Sequence, residues 1–406
     1  MKAFLIFLLL AVTLLLPGHQ PLHAETLKLD SSTQFLWGDD ILGEDQAVLA
    51  QYVRFSITPE DAKYSITGYG RIWDDLGSPA IRDDDFSARL YYLFLDYRLS
   101  KSADFRLGRQ YVNFTAGSSI MDGLSVNVRD LGPVGLTLAG GLDVRYTLDS
   151  EDERSDNAVF AADVHLEKVK PLQLGLSYFR RHDEGDLARE GVGINARGFF
   201  NILSPYTELR YDIFSETIDE ATVGLNIYPS MDLLIRLEYY HSYPTFDATS
   251  IFSVFAVDRY QEYLALAEYN LKAPVTLFAS YARQTYDGAD DDDADRFEVG
   301  ARATPVENLA VSGSLIYRNG TGGDILGFEL LGDYKLKKKY TLSAGVQYDT
   351  YERPDFDEDD DYATRLWLGG EWLVSENVTL QARIEENINE NFDSRPMGRV
   401  LLNWTL

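Results

Sequence analysis

From Glu25 to Leu406 the chain alternates apolar and polar residues with a period of two, in segments of about ten residues, a rhythm that suits a β-strand and no helix. In Tyr340 to Asp349, Tyr340, Leu342, Ala344, Val346 and Tyr348 fall on one face and Thr341, Ser343, Gly345, Gln347 and Asp349 on the other. Leu172 to Arg181 repeats the pattern, with Leu172, Leu174, Leu176 and Tyr178 set against Gln173, Gly175, Ser177 and Arg181. The final residues do so again: Val400, Leu402, Trp404 and Leu406 lie on one side, Arg399, Asn403 and Thr405 on the other. One such strand could belong to any half-buried sheet. A whole chain of them, each offering one face to lipid and one to water, points to a closed sheet in a membrane, where closure alone satisfies every backbone N–H and C=O.

Short turns are expected at Thr58 to Asp61, Leu99 to Ala103, Leu131 to Pro133, Lys168 to Pro171, Asn201 to Pro205, Tyr228 to Asp232, Leu271 to Pro274, Thr304 to Asn308, Lys335 to Lys339 and Val374 to Asn377. Longer polar segments lie between them. Ten turns and eleven loops give about 22 strands, in a range of 20–22, with both termini at the turn end. Four of the longer segments, Asp74 to Asp85, Asp149 to Asp156, Asp287 to Asp295 and Glu352 to Asp361, hold 23 of the 65 acidic residues. The expected fold is all-β: a transmembrane antiparallel up-and-down β-barrel over residues 25–406, with short periplasmic turns and longer acidic extracellular loops. A soluble sandwich or propeller would bury one strand face against another sheet and would not sort its loops by length and charge.

Residues 1–24 read as a signal peptide, with Lys2, an apolar run from Ala3 to Leu16 and the small residue Ala24 before the expected cleavage. No later segment nears the roughly 20 apolar residues of a membrane helix. The chain has no Cys, which removes disulfides, thiolate metal sites and covalently attached c-type haem on this chain. Its net charge of −28 argues against nucleic acid as a partner, because phosphate binding needs clustered Lys and Arg.

The C-terminal strand resembles that of Gram-negative outer-membrane barrels, which the barrel assembly machinery reads and which usually ends in an aromatic residue. Here the last residue is Leu406 and the aromatic is Trp404, so Val400, Leu402, Trp404 and Leu406 are the candidate assembly signal. Arg106-Leu-Gly-Arg-Gln110, Met121-Asp-Gly-Leu124 and Gly132-Pro-Val-Gly-Leu136 resemble an element of porin-like barrels of proteobacteria. The resemblance implies an integral protein of the Gram-negative outer membrane, in contact with membrane lipid and lipopolysaccharide. Leu107 and Arg109 share a face, which breaks the alternation; a β-bulge, or an Arg turned inward near Gly108, would resolve it.

Charged residues opposite the apolar face are the pore-lining candidates: Arg106, Glu208, Arg210, Arg236, Glu238, Arg296, Glu298, Arg302 and Arg383. Polar residues line any hydrated lumen, so each alone is weak evidence of selectivity. Tyr243 to Val257 is unusually apolar for a loop; Pro244, Phe246, Phe252 and Phe255 would form a constriction or a docking surface. The acidic loops lack the ligand spacing of an EF-hand, which leaves solvated acidic faces or weak divalent-cation bridges to lipopolysaccharide. His165, His182 and His241 have no metal-ligand spacing, and no Gly-x-Ser-x-Gly occurs, so neither enzyme chemistry nor a cofactor is expected.

Barrels of 16 to 18 strands enclose open channels, whereas 22-stranded transporters are plugged. A first strand at Leu27 to Trp37 leaves no room for a plug after the expected cleavage site. So wide a lumen would leak unless inward loops narrow it or another protein fills it. Three functions follow: a porin for passive diffusion of small hydrophilic solutes or ions, cation-favouring through its acidic mouths; a sheath housing a multihaem c-type cytochrome, similar to the porin-like component of outer-membrane electron conduits; or a structural or adhesive surface barrel.

Overall fold

The structure, a computed structural model, describes residues 25–39, 43–59, 63–77, 86–146, 151–152, 156–167, 169–245, 259–271, 274–287, 293–320, 323–351, 361–389 and 392–406. The expected signal segment 1–24 lies outside them, as do Phe246, Phe252 and Phe255 of the expected constriction.

The first half of the chain forms β1 (Glu25–Asp39), β2 (Asp45–Pro59), β3 (Tyr64–Asp75), β4 (Phe86–Arg98), β5 (Ala103–Phe114), β6 (Gly117–Leu131), β7 (Val134–Asp143), the two-residue strands β8 (Arg145–Tyr146) and β9 (Glu151–Asp152), β10 (Ala158–Leu166), β11 (Leu172–Asp183) and β12 (Asp186–Gly198). The second half forms β13 (Leu203–Asp212), β14 (Thr217–Ser230), β15 (Leu233–Ser242), β16 (Tyr260–Leu271), β17 (Val275–Tyr286), β18 (Asp293–Val306), β19 (Leu309–Gly320), β20 (Ile325–Leu336), β21 (Tyr340–Tyr351), β22 (Asp361–Ser375), β23 (Val378–Asn389) and β24 (Phe392–Thr405). All but β8 and β9 belong to one 22-stranded sheet, antiparallel throughout. It closes where β1 pairs β24, from Asp30 opposite Thr405 to Trp37 opposite Gly398. Closure leaves no sheet edge, which is the condition for a sheet in hydrocarbon.

All ten expected turns fall at joints between consecutive strands. The opposite end is less uniform than expected, because two of its connections among the described residues are only two residues long. Glu184-Gly185, between β11 and β12, has both φ angles positive, as the tight hairpin turn matching strand twist requires. Thr115-Ala116, between β5 and β6, is the other.

Register confirms the two faces. Phe328, Tyr348 and Thr364 lie in one cross-strand row, and Leu330, Val346 and Leu366 in the next row on the same face. Leu330, Leu342, Leu368, Ile384 and Leu402 are among the exposed apolar side chains of this outer surface. Aromatics flank it: Tyr340 stacks on Trp372 near the turn end, and Phe328 lies beside Tyr348 near the other. Gln51 is an exception, a polar residue on the outward face. Its amide donates to Ser31 Oγ at 2.7 Å and accepts from Thr33 Oγ1 at 2.5 Å, so its polar atoms are paired within the wall.

Candidate functional site

On the strand face opposite the exposed apolar one, most of the candidate charged residues are neutralised locally. Arg210 pairs with Asp219 at 2.7 Å and with Glu220 at 2.9 Å; Arg189 reaches the same Asp219 oxygen at 2.9 Å. Arg296 pairs with Glu298 at 3.0 Å. Glu385 accepts from Arg365 at 2.6 Å and from Arg383 at 2.8 Å. Arg302 lies 3.3 Å from Glu268 and 4.7 Å from the centre of the Phe278 ring. Arg236 donates to Asn226 at 3.0 Å, and Tyr206 donates to Glu238. Glu208 lies on the same face of β13 as Arg210. These candidates are spread over β13 to β23 and do not meet in one cluster.

On β2 to β4 the lumen face is aromatic instead. Tyr69 stacks on Tyr52 and Tyr91, with ring centres 6.4 and 5.0 Å apart, and Tyr92 continues to Phe94. Arg106, next door on β5, lies 3.9 Å over the Phe94 ring while holding Asp96 at 2.8 Å.

One segment leaves the wall. β4 pairs with β5 only up to Leu93 opposite Arg109, and β6 pairs with β7 only from Met121 opposite Asp143. The hairpin tip between them, residues 110–120, forms its ladder with itself, while the Ile120 carbonyl still accepts the Val144 N–H at 2.8 Å. It curls inward over β10, β11 and β12. There Ser177 Oγ accepts the Ala116 N–H at 2.9 Å, and Asn195 donates to Thr115 Oγ1 at 2.8 Å. Val112, Ala116 and Met121 of the hairpin bury against Ala139, Val159, Ala161 and Phe179 of the wall. Burying Val112, Met121 and Phe179 contributes about 1.5–3 kcal/mol each, more than the ~1 kcal/mol of each neutral hydrogen bond, so packing is the main force that holds the tip inside.

The hinge is the Arg106-Leu-Gly-Arg-Gln110 element. Gly108 has φ +123°, and a Cβ there would collide with the carbonyl of Leu93. That conformation turns Arg109 out of the lipid-facing register. Its guanidinium meets Asp122 through two bonds of 3.0 and 2.8 Å and also donates to the Leu90 carbonyl at 3.2 Å. Gln110, 1% exposed, donates to the Gly123 carbonyl at 3.0 Å and accepts from Ser125 Oγ at 2.7 Å. Arg109 turned away from lipid at Gly108 is therefore how the break in alternation is resolved.

A second layer braces the hairpin. Ser119 donates to the buried carboxylate of Asp143, and Arg145 bridges Asp143 and Asp183 at 3.1 and 2.7 Å. Burial opposes the charge on Arg145, but the two carboxylates outweigh it and hold its pKa above the ordinary arginine value. Tyr146 donates to the Leu90 carbonyl across the slot left between β4 and β7, and Arg89 lies 4.4 Å over its ring.

The expected constriction at Tyr243 to Val257 is described only through Thr245; Pro244 is exposed there. The hairpin that does enter the lumen escaped the sequence reading. Its traces were the glycines on the inner face of β12: a Cβ on Gly193 would collide with the backbone of Thr115 and Ala116. Among the described residues no three His, Asp or Glu side chains gather as a metal site.

The sequence profile of Gram-negative porins matches residues 105–355, from the hinge element to the end of β21. No curated protein matches the sequence. Among solved structures, the translocation pore of the P pilus usher PapC aligns with TM-score 0.53 at 10% identity, over 93% of this chain and 99% of that one. OccAB2 of Acinetobacter baumannii aligns at 0.49 and 10% identity, over 94% and 98%. OpdK of Pseudomonas aeruginosa aligns at 0.48 and 12% identity, over 94% and 99%. At such identities the usher likeness speaks for the large-barrel fold alone. The profile, by contrast, covers more than half of the 406 residues, hinge and lumen walls included, and on that ground the chain belongs to the Gram-negative porin family as an integral outer-membrane channel.

Proposed function

We propose that this porin passes small hydrophilic solutes and ions passively, favours cations, and is narrowed by the inward hairpin at residues 110–120. The observation that carries the reading is the hairpin itself: it leaves the wall, and packing and hydrogen bonds hold it in the lumen. A 22-stranded ring without such a device would be wider than the open channels of 16 to 18 strands. Paired charges on the wall leave little net field there, so the excess of acidic residues toward one end sets the sign of selectivity. That end is taken as extracellular and the short-turn end as periplasmic, with the strand Val400 to Leu406 read by the assembly machinery. Family and fold support a channel rather than an enzyme. A cytochrome sheath would need a clear lumen, and the hairpin stands in it.

The test is single-channel conductance of the purified protein in a planar bilayer under a salt gradient, beside a variant in which Tyr111 to Ser119 is replaced by a Gly-Gly turn. Steady cation-preferring steps that grow severalfold in the variant are expected. Equal conductance in both would sink the hairpin as the constriction, and no conductance from either folded barrel would sink the channel.

A further inference from the structure

The turn between β20 and β21 contains Lys335, Lys337, Lys338 and Lys339 within five residues. All four are exposed, and none makes an ion pair among the described residues. Lys337 and Lys338 have φ angles of +53° and +42°, so the turn is tight and sets three consecutive lysines, Lys337 to Lys339, at its tip. The wider pattern is one-sided too: nine of the eleven lysines stand at or beside the short turns.

Above this turn the outer wall is dished. A groove of about 1030 Å³ runs across β18 to β24 along two cross-strand rows. Its floor is made of Ala303, Gly332 and Ala344, and its rim of Leu330, Leu368 and Ile384. Gly332 and Ala344 are directly paired on the same two strands that end in the lysine turn. Five residues separate Gly332 from Lys337, a distance of ~17 Å along a strand. With tilted strands that is close to half the ~30 Å hydrocarbon thickness. Tyr340, stacked on Trp372, stands between turn and groove at the level where aromatic rings meet headgroups.

We propose that this face binds one anionic diacyl phospholipid of the periplasmic leaflet, with its phosphate on Lys337, Lys338 and Lys339 and an acyl chain in the groove floored by Gly332 and Ala344. The orientation rests on the porin reading above. Charge selects the occupant. A second copy placed by rotation about the membrane normal would bring its own lysine turn to the same height, and the two clusters would repel. A phosphate diester instead supplies the missing anion. Small side chains at the floor let the chain approach the backbone, and the larger rim residues flank it.

The test is native mass spectrometry of the full-length protein in detergent, after delipidation and addition of phosphatidylglycerol or of phosphatidylethanolamine with the same acyl chains. The wild type is expected to retain phosphatidylglycerol selectively. Lys337→Gln, Lys338→Gln and Lys339→Gln together should weaken retention by about fivefold for each lysine removed. Gly332→Leu with Ala344→Leu, which fills the groove and keeps the lysines, should also lower it. Equal retention of both lipids by the wild type, or undiminished retention by either variant, would overturn the proposal. So would a dimer or trimer that only the groove-filled variant loses, which would mark the face as a contact between copies. Conductance recorded on the same variants is expected to match wild type, so a failed lipid site and a failed channel would be distinguishable.

Discussion

Arg109 and Gly193 carry the most consequence for single residues. Arg109 is 8% exposed and its partner Asp122 is 33% exposed, so solvent screens part of the pair. Arg109→Met, which leaves the Asp122 carboxylate beside apolar surface, should cost about 1–3 kcal/mol at the hinge. The expected signature is a noisier open-channel current and new protease cleavage between residues 110 and 120, with the strand content by circular dichroism intact. Adding Asp122→Leu should restore part of the loss, because a pair replaced on both sides leaves no buried charge. Gly193→Leu probes the hairpin from the wall, since even its Cβ has no room beneath Thr115 and Ala116. Its expected result is a displaced tip and a larger conductance; an unchanged conductance would mean that the tip does not limit flow.

At the level of elements, closure depends on β24. Six of its eight pairs with β1 lie at or beyond Val400. Deleting Val400 to Leu406 should therefore leave a sheet with two open edges in place of a barrel, with the protein lost from the membrane fraction. Trp404→Ala keeps every backbone pair, so poor assembly of that variant would point to recognition of the strand rather than to closure. The β5–β6 hairpin shows what strand pattern does and does not convey. Apart from the hinge at Gly108, its residues pair with each other in register to the tip, so their local pattern resembles that of any wall strand. The turn into the lumen depends on Gly108, Gly193 and Ser177, which lie on three different strands, and no local pattern links them.

Across the whole molecule, charge is sorted by place: acidic residues crowd four of the longer loops, lysines gather at the short turns, and the lumen arginines are largely paired. A selectivity set by loop charge should depend on ionic strength. The Debye length falls from about 10 Å at 0.1 M to about 3 Å at 1 M, so the cation-to-anion permeability ratio should exceed unity at low salt and approach it at high salt. Reversal potentials at the two concentrations would decide; a ratio that does not change would place the selecting charges deep in the lumen.

The closed barrel, its count of about 22 strands, the ten turns and the division of faces are legible in the chain's pattern alone. All of these follow from period-two alternation and turn chemistry, which are local properties that a membrane reads residue by residue. Parity along a strand likewise sets Arg210, Arg296, Arg302 and Arg383 on the face opposite the exposed apolar residues. Tertiary packing sets which acid each arginine meets, brings Tyr52, Tyr69, Tyr91 and Tyr92 together on the lumen face, and takes residues 110–120 out of the wall. Those outcomes depend on which strands are neighbours and on the space between residues such as Ala116 and Ser177, 61 positions apart. Alternation specifies a face; it does not specify the partner across a lumen.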